Sequence, residues 1–411
     1  MTTRTRAIGY RRLMFLLAGL SMFGPFAIDT IFPAFPQIGA EFGADKILLQ
    51  QSISSYLFAY AAMSLVHGPL SDSLGRRPVM LWGVALFALG SVGCALSTSM
   101  PMLLFFRAVQ GLSAGVGMIV GRAVIRDLHT GPDAQRLMSQ VSMIFGIAPA
   151  IAPIIGGWIL GWGHWRDIFW FLTAFTGLLF VAVFFVLRES HLPAFRSPLR
   201  LKPLATSYRS IVSDRVFQKL SFVCAMHFAG FFIYIASAPE FVLHHLRMGQ
   251  GDFGWFFAPA ISGLVLGAYL SSYLAGRVHP DRQVNLGFWI GGVAVVLNLL
   301  YNYVVTSVSL PWAVIPLGLY SLSIALAFPV LNLKILDEFP YARGGASSLQ
   351  AFVSTAMNAV VAGVASPLVS GATHSLAWAM AVFFLLGLIG WMWYRRSSGE
   401  VLTSSYMPAG S

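Results

Sequence analysis

The feature that most constrains this chain is a repeated one: runs of about 20 apolar residues, each closed by a gap that holds most of the charge. Wound as a helix at about 1.5 Å per residue, such a run crosses the roughly 30 Å hydrocarbon core of a bilayer. Lipid offers no partner for backbone N–H and C=O groups, so runs of this kind must pair them internally, as helices. Composition excludes the soluble alternative. Apolar residues make up 57% of the 411 and charged residues only 10%, against about 25% charged in a soluble domain. The basic start MTTRTRAIGYRR runs straight into a segment too long for the core of a secretory signal. The reading is an all-α, multi-pass membrane protein.

Twelve spans are predicted, at 13–35, 49–71, 79–98, 101–123, 136–160 and 167–187, then 216–239, 253–275, 284–304, 309–332, 345–369 and 375–394. Of the basic residues in the gaps and tails, only Lys46, Arg166 and Arg247 fall on one side. The other side takes Arg76, Arg77, Arg126, Arg136, Arg277, Arg282, Arg395, Arg396 and the basic residues of a long central segment. By the positive-inside rule both termini are cytoplasmic. That asymmetry also accounts for the net charge of +11 without nucleic acid. Cys94 and Cys224 sit in apolar runs and read as small buried hydrophobes.

The central segment, 188–215, contains Pro193, Pro198 and Pro203 and no long apolar run. It divides the chain into a six-helix bundle over 1–187, a cytoplasmic linker, a second bundle over 216–394 and a tail, 395–411. Secondary transporters built from repeated bundles place their site near the midplane between repeats. Gly111, Gly115, Gly117 and Gly121 in the fourth span have spacings that allow close helix contact. The fifth span carries Pro149 and Pro153, then Gly156 and Gly157, so its two helix breakers stand four residues apart. Bending, or tolerance of bending, is the expectation there.

Asp29 is the chemical anomaly, a single carboxylate in the otherwise apolar FGPFAIDTIFPAFP. With the first span ending at 35, Asp29 and Arg107 lie at similar depth, about 9 Å below the surface at about 1.5 Å per residue. A pair between them, direct or through water, is then possible. Three readings stay open: a titrating group, a fixed ion pair that orders helices, and exposure near a helix end. Burial and a nearby guanidinium pull a carboxyl's protonation in opposite directions, so a conformational cycle could load and unload a proton on Asp29. Tyr56, His227, Tyr234 and Asn358 are candidate cavity residues, although a hydrogen-bonded core role is the plainer reading of His227. DSLGRR places Asp72, Gly75, Arg76 and Arg77 in a short link where the bases can bridge Asp72, Asp127 and a helix C-terminus.

Several of these stretches resemble the major facilitator superfamily. GPLSDSLGRRPVM, from Gly68, is similar to its cytoplasmic signature loop, and RAVQGLSAGVG and APAIAPIIGG to its fourth- and fifth-helix motifs. AIDTIFPAFPQI, SAPEFVL and GGASSLQAF resemble the bicyclomycin and chloramphenicol resistance branch, often called Bcr/CflA. The resemblance implies twelve helices in two six-helix bundles and proton-driven export of small, mostly apolar compounds. It also implies roles for Asp72, Gly75, Arg76, Arg77 and Asp127 as a conformational latch and for Arg107 and Gln110 as polar positions of the fourth helix. Asp29 matches an acidic position linked to substrate or proton handling. LAGRVHPDRQVN only loosely echoes the signature loop in the second half.

The expected function is a proton-coupled antiporter for drugs or small hydrophobes in a bacterial-type inner membrane, monomeric and without cofactor or metal. No GxxxxGK[ST] phosphate loop occurs. A carrier for one specific metabolite is the alternative, and a membrane enzyme a more distant one.

Overall fold

The computed structural model describes residues 9–196, 199–305 and 307–404; Arg4, Arg6, Pro198 and residues 405–411 lie outside them. Ten helices among the described residues are long and apolar enough to span a bilayer. One more span, the fifth in chain order at Gly131–Trp162, is bent by 44° between Arg136–Pro149 and Ile151–Trp162. The remaining span, the second in chain order at Lys46–Leu74, is long enough at 29 residues but polar, carrying Gln50, Gln51, Ser52, Ser54, Ser55, Ser64 and His67. Each predicted span has its helix, so the twelve-helix fold stands.

The first span is the one whose limit changes. It runs from Tyr10 to Phe42, seven residues past the predicted end at 35. Pro33 and Pro36 do not stop it, because each falls in the first turn of a new short piece, Phe32–Ala34 and Phe35–Phe42. The first turn has no N–H bond for proline to break. The other spans are Arg76–Ala95, Met100–Leu128, Trp165–Val186, Arg215–Ala236, Phe253–Leu274, Pro280–Val304, Ile315–Glu338, Arg343–Val369 and Thr373–Ser397.

The chain forms two compact units, residues up to Arg200 with Val242–Ile261, and Leu201–Phe241 with Ser262 onward. In the first unit, small residues let backbones approach, as packing within lipid demands. A Cβ at Gly117 would stand 1.8 Å from the Leu20 carbonyl oxygen, and one at Gly111 2.1 Å from that of Tyr56. Phe23 and Phe87 fill the space beside them, ring centres 4.8 Å apart.

The second unit is centred on aromatic side chains. His227 stacks on Phe288 at 4.6 Å and meets Tyr320 edge-on at 5.4 Å. The central segment also holds a helix, Leu201–Ser213. Ile211 is buried, and Tyr208 and Ile211 lie against Gly345 of the eleventh span. A short helix with one buried stripe leaves no long apolar run to read in sequence.

Candidate functional site

In the first unit, Asp29 closes the long helix Tyr10–Asp29. Its side chain is buried at 4% exposure, and no hydrogen bond or ion pair reaches its carboxyl among the described residues. The next residue, Thr30, is fully buried and donates its hydroxyl to the Phe26 carbonyl. Gly156 packs directly on this point: a Cβ there would stand 2.1 Å from the Thr30 carbonyl oxygen. Gly157 makes the same kind of contact with the Gln250 carbonyl, at 2.3 Å. The glycine pair of the fifth span is therefore a contact surface against the Asp29–Thr30 turn on one side and Gln250 on the other. The bend lies one to two turns earlier, at Pro149 and just short of Pro153.

Arg107 does not pair with Asp29. Its Nε donates to the Ser52 carbonyl at 3.1 Å, its Nη1 donates to Gln110 Oε1 at 2.8 Å, and its guanidinium lies 4.6 Å from the centre of the Tyr56 ring. Gln110 in turn donates from Nε2 to Ser91 Oγ at 2.8 Å. Tyr56 donates its hydroxyl to the Gly24 carbonyl at 3.0 Å, so it links the first, second and fourth spans. Arg107 Nη2 is buried without a hydrogen-bond partner.

The first span continues to Phe42, but this does not separate the two residues in depth. A Cβ at Gly24 would meet the Ala114 carbonyl and one at Gly117 the Leu20 carbonyl, so in this antiparallel packing Asp29 stands within about one turn of the level of Arg107. What differs is that Arg107 is engaged by Ser52 and Gln110. The added turns are held at their far end: Glu41 accepts from Trp165 Nε1 at 2.7 Å and from Arg166 Nη1 at 2.8 Å.

At the opposite end of the same unit, the link DSLGRR is a compact charge cluster. Gly75 turns the chain with φ 104°, a value glycine tolerates and other residues do not. Arg76 donates from Nη1 to Asp72 and to Ser71 Oγ, and from Nε to Asp127 Oδ2 at 3.1 Å. Arg76 is buried at 6% exposure. Arg77 instead donates from Nη2 to the Phe184 carbonyl at 2.8 Å, near the C-terminal end of the sixth span. A cation there meets unpaired carbonyls.

Sequence reading missed Glu189. Its Oε1 accepts from the Arg76 N–H at 2.9 Å and its Oε2 from the Arg77 N–H at 3.3 Å, so it caps the helix that begins at Arg76. Ser190 adds a hydroxyl donated to Asp127 Oδ2 at 2.9 Å. The only signal available was an acid just after the sixth span, in RESH.

Residues 13–362 match the description Major Facilitator Superfamily. The chain belongs to that superfamily. It is 27% identical to the bicyclomycin resistance protein homolog of Haemophilus influenzae, over 83% of this chain and 85% of that protein. It is 24% identical to multidrug resistance protein D of Escherichia coli K12, over 92% of this chain and 95% of that one. In fold it matches a D-xylose-proton symporter, with TM-score 0.71 at 14% identity over 93% of this chain and 97% of that one. The human organic anion transporter MFSD10 (TETRAN) matches with TM-score 0.69 at 19% identity, over 94% and 99% of the two chains. These relatives agree with the Bcr/CflA-like branch that the first-, seventh- and eleventh-span motifs resemble. A superfamily of transporters also removes the membrane-enzyme alternative.

Within the superfamily fold, the second unit's candidates separate clearly. His227 is buried, with Nε2 3.1 Å from Ser323 Oγ, and its carbonyl accepts the Tyr320 hydroxyl at 3.0 Å. Tyr234 is buried and its hydroxyl accepts from Asn298 Nδ2 at 2.8 Å. Asn358 differs: it is half-buried, and its Oδ1 has no hydrogen-bond partner. In the loose counterpart of the signature loop, Lys334 Nζ pairs with Asp281 Oδ1 at 2.8 Å, and Arg277 lies over the Tyr273 ring at 4.0 Å. Arg122, which sequence reading passed over, is exposed in the C-terminal half of the fourth span, Met100–Leu128.

Proposed function

We propose that this chain is a proton-coupled exporter of small, mostly apolar compounds, working by alternating access, with Asp29 as its proton-carrying group. The observation that carries the reading is the buried carboxyl of Asp29 without a partner. An isolated carboxylate in an apolar interior is costly, and such a group persists where the charge is present for only part of a cycle. Its surroundings are mobile elements of that cycle: the Thr30 carbonyl rests on Gly156, one helix segment beyond the bend at Pro149 and Pro153. A change in that bend would move the Asp29 turn and admit water to the carboxyl.

Arg107 has a different part. Held by the Ser52 carbonyl, Gln110 and Tyr56, it anchors the second and fourth spans and keeps one amino group, Nη2, in reserve. Asp72, Arg76, Arg77 and Asp127, with Glu189, form the latch that closes the cytoplasmic end of the first unit. Of the cavity candidates, Asn358 is the one with spare hydrogen-bonding capacity for a ligand. The names of the relatives support a drug or antibiotic as substrate, and scarce charge within the spans fits broad apolar specificity. We place the protein in a bacterial inner membrane as a monomer, with both termini cytoplasmic.

The test is Asp29→Asn, which keeps shape and hydrogen bonding but removes the titration. In inverted vesicles with an imposed pH gradient, this variant should fold and bind apolar substrate yet lose pH-driven flux. Normal coupling in a folded Asp29→Asn protein would end the proposal for this residue.

A further inference from the structure

One groove in the second unit takes no part in the mechanism above. It lies between the ninth span, Pro280–Val304, and the twelfth, Thr373–Ser397, and encloses about 820 Å³. Its walls are apolar, Trp289, Val293, Val296, Phe384 and Met392 among them, and its mouth is marked by Arg395 and Arg396. Trp289 is 75% exposed and Val296 54%, so the groove opens along the flank of the unit. At the arginine end, Trp391 donates its indole N–H to Asn285 Oδ1 at 2.7 Å.

Dimensions and charge select the occupant. From Phe384 to Arg395 the twelfth span rises about 17 Å at about 1.5 Å per residue, close to half of a roughly 30 Å hydrocarbon core. One leaflet is therefore the natural length of the groove. Its basic end falls where headgroups stand, as arginines flanking a span do. A soluble apolar compound would use the walls but leave the two guanidinium groups without a role, whereas a phospholipid uses both. Arginine forks match phosphate oxygens in geometry as well as charge.

We propose that this groove binds one anionic phospholipid, with its acyl chains along Val293 and Phe384 and its phosphate held by Arg395 and Arg396. The topology inferred from the charge asymmetry makes it a lipid of the cytoplasmic leaflet. At about 1 kcal/mol per basic residue near an anionic headgroup, the two arginines correspond to a roughly 30-fold preference over a zwitterionic lipid.

The probe is an equal mixture of phosphatidylglycerol and phosphatidylcholine, given to the purified full-length protein and read by native mass spectrometry. A photoactivatable acyl chain then locates the bound lipid. Wild type should retain phosphatidylglycerol preferentially and label residues 285–297. Arg395→Gln/Arg396→Gln should lose that preference, and Arg395→Lys/Arg396→Lys should keep most of it. Gly292→Leu should plug the groove and abolish labelling there, since a Cβ at Gly292 meets Phe384 only at an ordinary 3.5 Å. Labelling without headgroup preference in wild type, an undiminished preference in the double glutamine variant, or undiminished labelling of a folded Gly292→Leu protein would each overturn the proposal.

Discussion

The fifth span allows a paired experiment in which one substitution has opposite consequences at two sites on the same helix. A Cβ added at Gly146 would have nothing within 4 Å, whereas at Gly156 it would stand 2.1 Å from the Thr30 carbonyl oxygen. Gly146→Ala should stabilise the helix by up to about 1 kcal/mol, the difference in helix propensity. Gly156→Ala gains the same term but must push the Thr30 backbone away by about 1 Å to reach even 3.0 Å. Overpacking of that kind costs about 1–3 kcal/mol. The two variants should therefore differ by about 1–3 kcal/mol, which is roughly 2–12 °C in Tm for a unit of some 200 residues. Cys94 and Cys224 are free and buried, one in each unit, so a thiol-reactive dye reports unfolding without further labels. Gly156→Ala should also impair pH-driven flux, because the backbone it displaces adjoins Asp29. A Tm for Gly156→Ala equal to or above that of Gly146→Ala would refute the close-contact reading of this glycine.

Glu189→Gln should weaken the cap on the Arg76 helix by about 1 kcal/mol and speed opening of the proposed latch; unchanged exchange rates in single-molecule distance measurements would reduce Glu189 to an anchor. Pro149→Ala/Pro153→Ala should straighten the 44° bend and slow turnover more than it changes substrate affinity, measured by flux and binding in parallel. If both stay at wild-type values, the prolines are only tolerated. Lys46→Cys and Arg247→Cys should react with an impermeant thiol reagent from outside intact cells, and Arg200→Cys and Arg395→Cys should not. Labelling at 200 from outside would reverse the proposed topology.

What the sequence determined by itself was the set of spans. Desolvating a backbone is so unfavourable in lipid that each crossing must appear as a long apolar run, and even the polar second span was found at 49–71 against Lys46–Leu74. Local charge chemistry was legible as well: Asp72, Arg76 and Asp127 meet as their types and positions suggested, because the short link leaves few other partners. Tertiary structure decided the rest. Whether Pro33 and Pro36 end a helix depends on where each falls within a turn, which composition does not record, and this alone moved the end of the first span by seven residues. The pairing of Arg107 was decided separately, by the Ser52 carbonyl and Gln110 as competing partners. Glu189 could not be assigned from sequence because its partners are backbone N–H groups 112 and 113 residues away. Any residue can supply those, and only the approach of two chain segments selects them. Asp29 shows both halves of this division: its type and setting marked it in the sequence, and the absence of a partner is a property of the packed helices around it.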